Sequence, residues 1–368
     1  METGPMQKLM FFVLLQVTLV TLIGCQSVPP PPSGTGHLIE PGDALRLGYH
    51  LGPARDLAVP SGHAISHVAV LGDQLVVVES PSNLVTAISL GNGDTVWSRI
   101  IGSAAQDLYQ PHSYAGSILI NTESELFLLS AVNGHTQERQ QLVVAVNQGP
   151  VVTDDLAIFG STSGLVFAHN LRVGSDDWRY QMTGEIAATP VIYRNGVFVT
   201  DVHGKGAMLE RTTGQHLWPA RTFGRITAPV VIDRESVYIA CEDQSLYSLR
   251  QLDGRDRWIH RTDYSLRSSP VRIADFVIQN VPHAGLKVLE AQTGKTVWTF
   301  AASAQVVGEI GNRLLLNTGR NLIFVDLATG KTRTSVPVFP LQTVIQLDDG
   351  RLVLVSVAGR LLWLEPIS

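Results

Sequence analysis

Side chains able to do chemistry are few and scattered in this chain. His63 and His67 stand four apart in GHAISHVAV, a spacing that on a helix would place two imidazoles on one metal. The stretch instead reads as a loop entering a strand, with no third ligand nearby, so the pair reads as structural. Of the two cysteines, Cys241 closes VYIAC and precedes Glu242 and Asp243. A reactive thiolate needs an exposed, electropositive setting, so Cys241 reads as a small buried apolar residue.

Cys25 has a different context. It ends LMFFVLLQVTLVTLIGC, whose apolar run from Leu9 to Ile23 is 15 residues long and includes a Gln and two Thr. A spanning helix needs about 20 apolar residues, whereas a secretory h-region is this short. Leu22, Ile23, Gly24 and Cys25 resemble the bacterial lipobox, whose cysteine receives lipid. Residues 1–24 therefore read as a lipoprotein signal peptide and Cys25 as a lipidated N-terminus. Glu2 offsets Lys8 in the leader, a weakness that a start at Met6 would remove. QSVPPPPSGTG follows, and residues 25–42 read as a lipidated Cys plus tether, the prolines extending at about 3.1 Å per residue. Gln26 replaces the Asp that resembles an inner-membrane retention signal, which favours the outer membrane, facing the periplasm.

The rest of the chain is repetitive. Gly–Trp pairs four apart occur at Gly93 and Trp97, Gly174 and Trp178, Gly214 and Trp218, Gly254 and Trp258, and Gly294 and Trp298. The tryptophan intervals are 81, 40, 40 and 40, so the first spans two periods. Gly134 marks the missing member, with Glu138 in the Trp place, and Gly330 begins a seventh copy with Thr334 there. Self-similarity at this period marks a repeat architecture. Within one period, PVVI, VYIAC, LYSLR and DRWIHR are short runs bounded by Asp, Gly and Ser, too short for ordinary helices and rich in strand formers. Four strands per repeat make a propeller blade. The Gly can take the positive φ of a tight turn, and a Trp on the outermost strand can cover apolar surface between blades.

First strands begin near His67, His112, Gly149, Thr189, Ala228, Ser269, Val306 and Thr343, which is eight, and the last repeat stops after its third strand. The expected fold is all-β: an eight-bladed propeller of four-stranded antiparallel blades over residues 43–368, closed by an N-terminal strand, ALRLGYH at 44–50, that completes the last blade. The Pro-Gly-Asp of LIEPGDALRL faintly resembles the opening of polysaccharide-export proteins and reads as turn chemistry. A formal net charge of −5 and scattered arginines leave no basic stripe for nucleic acid.

The period, aliphatic-x-aliphatic followed by (T/D/N)G, three residues and Trp, resembles the PQQ-type propeller repeat. The resemblance covers nearly the whole mature chain, although the family's Asp before the turn survives only as Asp326 in FVDLATG. Large members of that class are quinoprotein dehydrogenases with PQQ and calcium on the axis and adjacent cysteines forming a disulfide ring. No adjacent cysteines occur here, and the strand starts TAPV, SSPV and ATPV lack carboxylates. His67 and His112, on neighbouring blades, are a hint of a pocket at the axis. No cofactor, metal or enzymatic activity is expected. The lipid-anchored, smaller members serve as scaffolds in outer-membrane protein assembly, docking on the barrel-inserting BamA. That resemblance implies contacts from two mid-chain loops, one with Leu-x-Leu-Arg-Gly-Glu and one acidic. The corresponding stretches are YQMTGEIAATP, which keeps Gly184 and Glu185 but has Thr183 for Arg, and RTFGRITAP, which carries Arg225 instead of acids. Glu185 and Arg225 are thus candidate partner-binding residues of a monomeric propeller. The alternatives are a scaffold for another envelope complex and a binder of a small ligand such as a sugar or quinone.

Overall fold

The Asp, Asn, Gly and Ser clusters that punctuate the 40-residue period are turns between antiparallel strands in the computed structural model, which describes residues 38–367. Cys25, the segment read as a signal peptide and the proline stretch lie outside the described residues. Among the described residues thirty-two strands form eight four-stranded sheets. Blades one to seven cover residues 64–100, 112–141, 151–181, 191–221, 231–261, 271–300 and 305–337, each pairing its strands in chain order. Blade eight joins three strands from 341–366 to Tyr49–Asp56. The fold is an eight-bladed all-β propeller.

Second and third strands are covered on both faces by neighbouring blades. Leu156–Gly160 and Ser236–Cys241 are therefore buried at every position, and they read as unbroken apolar runs, not as alternation. Fourth strands face solvent on one side and alternate, as Ser175–Gln181 does around Trp178. First strands of successive blades touch one another around the axis. Because each blade runs up and down in order, its second-to-third turn and its linker to the next blade share one face, called here the linker face. The Gly-containing third turns lie on the opposite, turn face.

The N-terminal segment differs from the sequence expectation. Residues 44–47 are not strand: Pro41–Leu47 is a helix, opened by Pro-Gly-Asp with Asp43 in its first turn and closed by Gly48 at φ 90°. Pro at the first position and a left-handed Gly after the last are ordinary helix punctuation, so Pro-Gly-Asp starts a helix instead of making a turn. The closing strand is Tyr49–Asp56, paired antiparallel from Tyr49↔Pro366 to Asp56↔Arg360. Leu38 and Ile39, within the stretch read as tether, are 3% and 2% exposed. They pack with Ala44, Leu47 and Tyr49 against Phe324 and Val336 of blade seven and Leu354 and Leu362 of blade eight.

Each Trp on an outer strand reaches the following blade. Trp97, Trp178, Trp258 and Trp298 donate their indole N–H to the carbonyls of Ala131, Arg211, Ala291 and Leu327 at 2.8 to 2.9 Å. Beneath each ring lies the next repeat's turn glycine. A Cβ on Gly214, Gly254, Gly294 or Gly330 would stand 2.5 to 2.6 Å from the Trp178, Trp218, Trp258 or Trp298 ring, and Gly134 is equally close beneath Trp97. All seven turn glycines have φ of 69° to 74°. The pair that touches is thus the Trp of one repeat and the Gly of the next, not the two residues four apart. A sixth ring, Trp363, lies on the third strand of blade eight, is 0% exposed and faces Gly93.

Three seams lack an outer-strand Trp, and at the one between blades eight and one Trp363 faces Gly93 in its place. Between blades seven and eight the N-terminal helix segment fills the space. Between blades two and three the seat over Gly174 is taken by Gln140, not by Glu138, which holds the Trp register opposite Leu128. Gln140 Nε2 donates to Leu171 O at 2.8 Å and to Glu138 Oε1 at 2.7 Å, reproducing the indole-to-carbonyl bond. Both contacts accept, so the Gln140 carbonyl oxygen faces His169 Nε2 at 2.7 Å, which carries a proton. His169, 0% exposed, also lies 3.1 Å from Asp176.

Candidate functional site

Around the axis the inner strands are stitched by amides. Gln110 donates to Val68 O at 3.1 Å, Gln148 to Ile186 O at 3.1 Å, Gln305 to Val344 O at 2.9 Å and Gln342 to Ile65 O at 2.8 Å. Among the described residues no group of three His, Cys, Asp or Glu is placed to hold a metal. A calcium-bound quinone needs a carboxylate base beside its hard oxygen ligands, and no carboxylate takes part in these four contacts.

His63 Nδ1 donates to the Glu79 carboxylate at 2.7 Å, and among the described residues neither His63 nor His67 belongs to a group of three metal-ligating side chains. Burial pushes His67 and His112 below the ordinary 6.5, and His112 Nε2 is buried without a partner. Folding therefore opposes protonation of His112, and the unfolded chain takes up the proton first as pH falls. Stability is expected to be complete above the ordinary value near 6.5 and to decline below it. Thermal melting at pH 7.5 and 5.5 checks this: His112→Gln should flatten the decline, and an unchanged slope would clear His112 of it. Cys241 is 0% exposed, its thiol is pushed up by burial, and Sγ sits 3.4 Å from Thr222 Oγ1, the setting of an inert thiol.

On the linker face, Glu185 and Arg225 occupy the same place one period apart. The carbonyl of each accepts a backbone N–H from the neighbouring turn, from Val202 and Glu242, both at 2.9 Å. Each precedes an isoleucine, Ile186 or Ile226, that is 0% exposed and plugs the space between blades. Their side chains differ. The Glu185 carboxylate accepts from Asn147 at 2.8 Å and is half-buried, tying one linker to the next. Arg225 is exposed and its guanidinium has no partner.

The Arg225 loop holds two more residues that the sequence did not single out. Phe223 is 83% exposed, and Arg221 is exposed with no partner. The backbone beneath them is fixed. Thr222 bonds Gly204 O at 2.7 Å through its N–H and Gly224 O at 3.1 Å through its hydroxyl, and a Cβ on Gly224 would meet Asp243 N at 2.7 Å. Asp243 accepts from the Tyr247 hydroxyl, which burial and this carboxylate push up, and its other oxygen is buried without a partner. A rigid loop presenting Arg, Phe and Arg to solvent can bind a surface; it carries no nucleophile or general base. The available signal was positional: Phe223 stands where the neighbouring repeats have Thr183 and Asp263.

Comparison with known proteins finds the same propeller. The family model described as outer membrane protein assembly factor BamB matches residues 61–260. Proteins of that name from Kangiella koreensis and Moranella endobia are each 24% identical, over 40% and 57% of this chain and 40% and 58% of their own length, so the chain spans about half the length of the curated relatives it matches. The crystal structure of BamB from Moraxella catarrhalis superposes with a TM-score of 0.69 at 17% identity, covering 86% of this chain and 97% of that one. Quinohemoprotein alcohol dehydrogenase from Comamonas testosteroni gives 0.64 at 12% identity, over 88% and 77%, which shows that the same ring also serves an enzyme. The family match takes in more than half of the residues, and the chain belongs to the family of outer membrane protein assembly factor BamB.

Proposed function

We propose that this chain is a non-enzymatic, lipid-anchored scaffold of the bacterial envelope that takes part in outer-membrane protein assembly by binding a BamA-like partner through its linker face. The observation that carries the reading is the loop at 221–225, where Phe223 is 83% exposed between two unpartnered arginines on a pinned backbone. An exposed aromatic flanked by Arg is the composition of a binding anchor, and an isolated solvent-facing Phe has no role in the ring's own packing. Family membership supports the assembly role, and the amide-lined axis supports a scaffold over a quinoprotein. Lipid on Cys25 would hold the propeller at the outer membrane, facing the periplasm.

Crosslinking in native envelopes tests it. Capture of a BamA-like protein is expected, and Arg225→Glu should reduce it about tenfold or more; clean recovery of a different complex would discard the assembly role. Cys25→Ser should release the protein from the membrane without acyl modification, read by mass spectrometry. PQQ with Ca²⁺ should leave the melting temperature unchanged, because only a bound ligand raises it.

A further inference from the structure

Beside that loop, an open groove of about 690 Å³ follows the outer edge of blade four, from Thr183, Lys205 and Arg221 at the linker face to His216 and Arg255 toward the turn face. Its wall is Tyr180 stacked on His216, ring centroids 6.0 Å apart and 14° from parallel. Its floor is apolar, with Met182 and Ala207 buried. Lys205 and Arg221 are directly opposite across the third and fourth strands, both exposed and both without a partner. Like charges so placed destabilise a strand pair. At the same register other blades carry Glu125↔Gln141, Leu165↔Gln181, Ser245↔Arg261 and Asn321↔Pro337, so the twin cations belong to blade four's own surface and not to the repeat. Among the described lining residues one carboxylate occurs, Asp256, at the far end.

We infer that this groove receives an extended, acidic segment of a partner protein, its carboxylates meeting Lys205 and Arg221 and an apolar side chain lying against Tyr180. The assignment rests on the partner-binding reading and names the partner's chemistry. Charge complementarity selects an acidic occupant. Length selects an extended one: the wall is a six-residue edge strand, His216–Arg221, of about 3.4 Å per residue, whereas an isolated anion fills only the cationic end. Pro219 has no N–H to offer in that edge, so side chains, not a continuous added ladder, must supply the recognition.

Fluorescence anisotropy with the full-length lipoprotein in detergent tests it, using a short labelled peptide bearing paired aspartates and a central phenylalanine, and its lysine counterpart. The aspartate peptide should bind in a salt-sensitive way and the lysine peptide should not. Lys205→Glu combined with Arg221→Glu should weaken the aspartate peptide by about tenfold or more, while Lys331→Glu on the turn face should leave it unchanged, with both proteins melting as the parent does. Equal binding of the two peptides, or no response to the double reversal, would overturn the inference. So would inorganic phosphate or phosphatidylglycerol vesicles binding with the same sensitivity to the double reversal while the peptide does not, since the groove would then be an anion or lipid site. Envelope capture that depends on Arg225 while the peptide fails to bind sinks the groove alone; peptide binding without capture of a BamA-like protein sinks the assembly role and leaves the groove.

Discussion

Trp298→Ala should cost about 3 to 5 kcal/mol, and Gly330→Ala, a single methyl on the next blade, about 2 to 4 kcal/mol. The ring is 9% exposed and packs with Ile278, Val288 and Leu314, while its indole N–H is held by Leu327 O at 2.9 Å. Removing it opens a cavity and strands a carbonyl. The methyl acts from the other side: it must enter 2.5 Å from the indole, on a backbone at φ 69°. The double variant should lose clearly less than the sum, because the cavity left by one change accepts the methyl of the other. Chemical denaturation of the four proteins reads the coupling, and additivity within about 0.5 kcal/mol would mean that ring and seat do not act as one contact. Trp258, which is only partly buried, should lose less than Trp298.

Starting the chain at Leu57 should be more damaging still, above about 5 kcal/mol and accompanied by association. The deletion removes Tyr49–Asp56 from the edge of Arg360–Pro366 and uncovers Leu315, Phe324, Leu354 and Leu362. An unpaired strand edge beside exposed apolar surface is a template for intermolecular pairing. Size-exclusion chromatography and denaturation are the measurements; a monomer with an unchanged midpoint would show that the ring closes without its N-terminal strand.

The ring was legible because its information is periodic. Turn residues recur every 40 positions, and the doubly covered strands leave unbroken apolar runs such as VYIAC. What escaped was contact between repeats. Trp178 and Gly214 touch across a blade boundary, whereas the eye pairs Trp178 with Gly174 because they are near in sequence. Gln140 escaped for a related reason: it sits two residues beyond the Trp register, so alignment of the repeats points to Glu138. In PGDALRL the need for a closing strand outweighed helix signals that were present, Pro at the start and Gly48 at the end. For the candidate site, Arg225 was visible by position, but Phe223 and the Lys205–Arg221 opposition depend on exposure and cross-strand register, which a linear reading does not contain.

The knob-and-seat contact has a directional consequence. Five of the repeats carry a ring on one flank and a glycine on the other, and each of these rings enters the following blade, so successive seams are head-to-tail junctions between unlike surfaces. In assemblies of separate subunits, junctions of this type continue without limit unless the rotation per unit closes a circle. Here eight units close it. Of the three junctions that depart from the rule, the second keeps its seat with Gln140 over Gly174, and the other two sit at the join: a helix replaces the ring at the seventh junction, and Trp363, from the third strand, supplies it at the eighth. A repeat that brings both knob and seat can be copied in tandem without inventing a new surface. The junctions flanking blade eight cannot be copied in this way, which makes them the positions that fix the blade number.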